Sequence, residues 1–148
     1  MEEKELDEMV ERLPDEPYWV IDLLPRQVPQ GGAGQFFAVE RYYLDGEPFE
    51  RLLQRFVDVL LGLNCYHDLR VLCGDEWVLN PEPATLVGWL AEALRRGHLC
   101  VLVDDDCLIT ASGGDTNLTL YRPSPAVLEL AQQLATAAGL YVWQPIDK

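Results

Sequence analysis

The chain has 148 residues, 49% of them hydrophobic and 24% charged, and its 25 acidic against 11 basic residues leave a formal net charge of −14. A chain this long buries roughly 70% of its unfolded surface, so one globular domain over 1–148 is expected. The negative charge repels phosphate backbones and anionic headgroups, which argues against nucleic acid or membrane as a partner.

The chain opens with MEEKELDEMVERL. This stretch has neither the basic start nor the apolar run of a secretory signal, and no segment approaches the roughly 18 apolar residues of a membrane helix. The expected location is cytoplasmic. Leu6, Met9, Val10 and Leu13 fall at i, i+3, i+4 and i+7, which predicts a short amphipathic helix over 2–13 on the domain surface. PYWVIDLL (17–24) reads as a strand, and PRQVPQGGAGQ (25–35) as a loop, because two prolines and three glycines sustain neither periodicity. FFAVERYYL (36–44), rich in aromatic and β-branched residues, reads as a second strand.

DGEPFERLLQRFVDVLLG (45–62) is a predicted helix, with Asp45 as its cap, Pro48 near its first turn and Leu52, Leu53, Phe56, Val57 and Leu60 on one face. CYHDLRVLC (65–73) then reads as a strand and CGDEWVLN as a connection. PEPATLVGWLAEALRRG (81–97) is a helix that ends with Arg95, Arg96 and a stop at Gly97. Three strands fill 98–121. Ser124 and Pro125 start a helix that runs to Gly139, and LYVWQP (140–145) is a final strand.

Alternation of strand, helix and strand before residue 98 predicts parallel crossovers, whereas 98–121 leaves no room for a helix and must be an antiparallel meander. The expected fold is therefore α+β or mixed α/β. Its architecture would be a two-layer sandwich, a mixed sheet with the meander at 98–121 and amphipathic helices packed on it. In the meander, a three-residue loop at Asp104–Asp106, with Asp106 left-handed, sets Val103 opposite Cys107 and Val101 opposite Ile109. A two-residue turn at Gly113-Gly114 sets Ile109 opposite Leu118. One face then collects Leu99, Val101, Val103, Cys107, Ile109, Ala111, Leu118 and Leu120.

The same register separates Asp115 from Asp104–Asp106 by the length of a strand, so these acids cannot share a metal. Neither turn has calcium-loop spacing. GGDTN lacks the acidic and aromatic residues that complete the GGDEF signature of diguanylate cyclases. If the crossovers are parallel, however, Asp75, Glu76, Asp104, Asp105 and Asp106 share one rim with Asp45 and Glu47, at the sheet edge where open parallel sheets bind ligands. Asp45, Glu47 and Glu82 serve helix starts, which leaves Asp75, Glu76 and Asp104–Asp106 as the candidate binding residues.

The four cysteines, Cys65, Cys73, Cys100 and Cys107, form no CxxC and are expected to be free thiols. The pairs Cys65/His67 and His98/Cys100 have i, i+2 spacing. Adjacent parallel strands would bring them together as a zinc cluster, the alternative to a protein without metal. A nucleophilic Cys–His pair would need a third, orienting group that the sequence does not identify. GGAG at 31–34 lacks the lysine of a phosphate loop, and no GxGxxG, GxSxG or HExxH occurs, so no catalytic residue, metal or cofactor is assigned.

The resulting expectation is a small acidic cytosolic interaction module rather than an enzyme. It would bind a basic protein surface, as inhibitors and toxin-neutralising immunity proteins of similar size and charge do. The alternative is a metal-dependent enzyme or zinc protein using the face of Cys65, His67, His98 and Cys100.

Overall fold

In the computed structural model, which describes residues 2–29, 31 and 34–145, seven strands form one sheet that is antiparallel at every pairing. The elements in chain order are α1 (Glu3–Arg12), a 3-10 turn (Leu13–Asp15), β1 (Tyr18–Asp22), α2 (Phe36–Tyr43) and α3 (Gly46–Tyr66). They continue with β2 (Leu69–Cys73), β3 (Glu76–Leu79), α4 (Pro83–Arg96), β4 (His98–Val103), β5 (Cys107–Ser112), β6 (Asn117–Tyr121), α5 (Pro125–Ala137) and β7 (Tyr141–Trp143). The strand order is β3-β2-β4-β5-β6-β1-β7. The architecture is α+β, with helices layered on an antiparallel sheet.

The missing parallel pairs have a local cause. Cys73 pairs with Glu76, so Gly74 and Asp75 form a two-residue hairpin loop, with Gly74 at φ +62°. The segment expected to be a mere connection contains β3, which reverses the chain before α4. Helix α4 therefore crosses from β3 to β4 with β2 between them, and both outer strands run antiparallel to the middle one. Helix α5 does the same from β6 to β7 across β1.

Two other expectations fail for reasons of packing. Residues 36–44 form helix α2 rather than a strand: Phe36, Val39, Glu40 and Tyr43, at i, i+3, i+4 and i+7, are the half-buried side of the helix. The β propensity of aromatic residues yields to that tertiary pattern. Helix α3 also runs past Gly62, where a stop was expected, to Tyr66. A Cβ at Gly62 would lie 2.6 Å from Leu134 Cδ2 of α5, so this glycine admits a neighbouring helix instead of ending its own.

All eight residues expected on the apolar face of the meander lie in the main core, packed with Phe49, Leu52, Phe56, Leu60 and Leu63 of α3, Leu90 and Leu94 of α4, and Ala131 and Ala135 of α5. The β4–β5 register is the expected one, with Val103 opposite Cys107 and Val101 opposite Ile109. Ile109 faces Leu120 instead of Leu118, because the β5–β6 connection is two residues longer than a Gly113-Gly114 turn. A slip of two residues preserves the face, since side chains alternate with a period of two. On the opposite face Leu6, Met9 and Leu13 of the N-terminal segment cover Cys100, Leu102 and Leu108, a second and smaller core.

Candidate functional site

The three consecutive aspartates turn the chain between β4 and β5. Asp104 and Asp105 have φ +54° and +52°, and the Asp106 N–H donates to Val103 O at 3.0 Å. The left-handed residues are thus Asp104 and Asp105, not Asp106. Left-handed backbone is costly for most side chains but tolerated by aspartate. Two of the carboxylates also have structural work. Asp104 Oδ2 lies 2.6 Å from His67 Nδ1, and its Oδ1 accepts from the Asp68 backbone N–H at 3.0 Å. Asp105 Oδ1 accepts from Arg70 Nε at 2.7 Å. The knot continues through Asn80, whose Oδ1 accepts from Asn64 and from the Leu69 N–H while its amide donates to Asp68. It joins the end of α3 and the start of β2 to the end of β3 and the β4–β5 tip. Only Asp106 has no side-chain partner among the described residues.

The five candidate binding residues do not share a rim. Leu69 pairs with Val103 and Leu72 with Cys100, so Asp75 and Glu76 stand at the end of β2 opposite the aspartate tip. The strand between them spans about 14 Å. Asp75 and Glu76 are exposed beside the hairpin loop, and Asp104–Asp106 lie with His67, Asp68 and Arg70. Asp45 and Glu47 begin α3, where Glu47 accepts from Arg51 at 2.8 Å.

The Cys/His quartet is likewise dispersed. Cys65 is exposed in the last turn of α3, and His67 follows that helix against the aspartate tip. His98 and Cys100 occupy the other end of β4, with His98 Nε2 3.4 Å from Cys100 Sγ and Nδ1 3.0 Å from Ser112 Oγ. Ser112 is the orienting group that the sequence did not reveal. Cys100, however, is only 4% exposed, and burial pushes its thiol pKa up, which keeps it protonated rather than nucleophilic. No group of three or more His, Cys, Asp or Glu among the described residues could hold a metal ion.

The Gly113-Gly114 pair also serves the fold. Gly113 N–H donates to Gly97 O at 2.8 Å and Gly114 N–H to Leu94 O at 3.1 Å, which satisfies carbonyls at the end of α4. A Cβ on Gly113 would lie 2.7 Å from Arg96 Cα, so only glycine permits this approach.

The fold does gather three acids that the sequence reading did not group. Asp22 ends β1 and is only 6% exposed, with Trp143 Nε1 donating to its Oδ2 at 3.3 Å and to Leu24 O at 3.0 Å. Burial raises the Asp22 pKa, partly countered by the Leu24 and Leu23 N–H groups and by Trp143. Glu40 of α2 is raised by burial and then by the negative charges of Asp115 and Asp22, and Asp115 is raised by burial. Clustering of perturbed carboxyl groups marks a candidate site. Read at helical period, FFAVERYY would have shown Glu40 on the inward stripe; no local signal marks Asp22.

Beside this trio, α2 leaves Phe37 76% and Tyr42 58% exposed and buries none of its own residues fully. A second charged surface lies on α1 and the turn after it. The side chains of Glu3, Glu8, Glu11, Asp15 and Glu16 make no hydrogen bond or ion pair among the described residues, and Lys4 and Arg12 are the bases of that segment. Among the described residues no helix is long and apolar enough to cross a membrane. Comparison with protein-family models, with curated proteins and with solved structures finds no match.

Proposed function

We propose that this protein is a small acidic interaction module that docks on the basic surface of another protein. The observation that carries the reading is the acidic N-terminal segment, in which the side chains of Glu3, Glu8, Glu11, Asp15 and Glu16 have no hydrogen bond or ion pair among the described residues and only Lys4 and Arg12 offset them. Side chains that serve only the fold are under no pressure to concentrate one sign of charge, and this segment adds to a total of −14. Such a surface repels itself, and a cationic partner relieves that repulsion on contact. It also steers association, raising rates by roughly 10- to 1000-fold for a complementary partner. Inhibitors that neutralise a basic toxin or enzyme work in this way. Of the five acids near the turns, Asp75, Glu76 and Asp106 can contribute, whereas Asp104 and Asp105 are engaged by His67 and Arg70.

Affinity capture from the native cytosol tests the reading. The parent and a variant carrying Glu3→Gln, Glu8→Gln, Glu11→Gln, Asp15→Asn and Glu16→Gln are compared at about 50 mM and about 500 mM salt. A basic protein retained by the parent at low salt, and lost at high salt or by the variant, supports the proposal. Equal retention under all four conditions removes its basis.

A further inference from the structure

Strand β3 is an outer edge of the sheet and pairs with β2 alone. Its register decides which backbone groups are left over. Asn80 N–H donates to Leu69 O at 2.7 Å, and Cys73 and Glu76 close the two-residue hairpin. Bonded and non-bonded pairs alternate along an antiparallel ladder, so Val78 is bonded to β2 while Trp77 and Leu79 turn their N–H and C=O groups outward. None of these groups has a partner among the described residues. Edge strands are ordinarily blunted by a charge, a proline or a bulge. Trp77-Val78-Leu79 has none of these, and Leu79 is 47% exposed.

Helix α1 sets the charge beside this edge. Trp77 Nε1 donates to Asp7 Oδ1 at 2.9 Å, which fixes the side of α1 that looks toward β3. Glu3 and Glu11 stand four residues before and after Asp7 on that side, about 6 Å away along the helix axis, and both are exposed. Lys4 adjoins this row and leaves it net negative. Asp75 and Glu76 are exposed at the start of the strand. Trp77 packs in the smaller core under α1, and the period of two puts Leu79 on the same face. A second copy of the chain, paired antiparallel through β3, would set two Glu3-Asp7-Glu11 rows side by side and is repelled. An extended segment carrying bases is attracted.

Building on the interaction reading above, we propose that the β3 edge takes an extended segment of the basic partner as an eighth strand of the sheet. The outward groups of Trp77 and Leu79 bond to its backbone. Its residues opposite Trp77 and Leu79 fall two apart on the α1 face, where a lysine or arginine lays its stem along those side chains and its head toward Glu3, Asp7 and Glu11. The residue between them meets half-buried Val78 on the other face and is apolar.

The probe is the end-blocked peptide Thr-Lys-Val-Lys-Val-Lys-Thr, titrated into the ¹⁵N-labelled full chain at about 50 mM salt. It is expected to slow hydrogen exchange chiefly at the Trp77 and Leu79 amides, because the Val78 amide is already bonded to β2. N-methylation of the three lysine amides keeps the charge but removes the donors, and should weaken binding about tenfold or more. A peptide with its three lysines adjacent should bind about threefold or more weakly. The variant Leu79→Pro removes an outward N–H without touching the β2 ladder, so its melting temperature should stay near the parent while its affinity falls about fivefold or more. The N-methylated peptide tests the same bonds on the unaltered chain. Equal affinity of the plain and N-methylated peptides, or shifts in α1 without protection of Trp77 and Leu79, would overturn the edge and leave the acidic-module reading standing. Protection of these amides that grows with protein concentration in the absence of peptide would give the edge to a second copy and overturn the proposal. Absence of any binding would overturn it too, while capture from the cytosol decides the broader reading separately.

Discussion

If the aspartate tip serves the fold, its three members should differ in a set order. Replacing Asp104 with alanine removes the acceptor of the His67 contact at 2.6 Å and of the Asp68 N–H at 3.0 Å, and leaves alanine at φ +54°. The Asp104 side chain is 47% exposed, so each lost bond is taken at about 1 kcal/mol rather than at a buried value. Left-handed alanine adds about 1 kcal/mol. Asp104→Ala should therefore lower the unfolding free energy by about 3 kcal/mol. Asp104→Gly loses the same two bonds but adopts the backbone freely, and should cost about 2 kcal/mol. Asp106→Asn loses no contact and should stay within about 0.5 kcal/mol of the parent. Urea unfolding followed by tryptophan fluorescence gives all three values in one buffer. An Asp106 variant as costly as Asp104→Ala, or an Asp104→Ala variant that unfolds like the parent, would refute the structural role assigned to the knot.

Three further outcomes follow from the same structure. Gly113→Ala should destabilise by about 1–3 kcal/mol, because its Cβ would press on backbone atoms of Arg96 and Gly97 rather than on a flexible side chain; calorimetry that finds no loss would place the β5–β6 connection farther from α4. Burial and the charges of Asp115 and Asp22 raise the Glu40 pKa above its ordinary 4.5, so the stability that Glu40 contributes is complete below the carboxylate range and is lost as pH rises through the raised value. Glu40→Gln should thus gain stability relative to the parent between about pH 4 and about pH 7, and a difference that is flat or falls with pH contradicts the trio. Ellman's reagent should find the exposed Cys65 and Cys73 fast, and Cys100 and Cys107 only on unfolding, the latter with a thiol pKa pushed up to about 12; a Cys100–Cys107 bridge would contradict their placement on opposite faces of the sheet.

The elements with two agreeing signals were legible in the sequence. The meander had alternation and turn chemistry together, and its apolar face survived a misread loop because a two-residue slip keeps the face. Helices α4 and α5 had periodicity and terminal prolines. The misreadings each arose where one residue type had two physical uses. Gly62 looked like a helix stop and is a helix contact. The aromatic residues of 36–44 looked like a strand, but Phe36, Val39, Glu40 and Tyr43 also fit one side of a helix. Gly74-Asp75 looked like a loose connection and is a tight hairpin, and that omission, together with the strand misread at 36–44, made the crossovers look parallel and assembled an acidic rim that the fold divides. The Asp22, Glu40 and Asp115 grouping was out of reach for a different reason. It depends on how β1, α2 and the β5–β6 connection meet, and such long-range proximity leaves no local pattern.

The central claim is that the acidic N-terminal segment draws this protein to a basic partner. The most direct test is the association rate between the purified chain and the captured protein, measured by stopped flow from about 20 to about 300 mM salt. The rate should fall steeply as salt rises. The variant neutralised at Glu3, Glu8, Glu11, Asp15 and Glu16 should associate more slowly and with a flatter salt dependence, while its dissociation rate changes little. Association that is indifferent to salt and equal for parent and variant would contradict the claim.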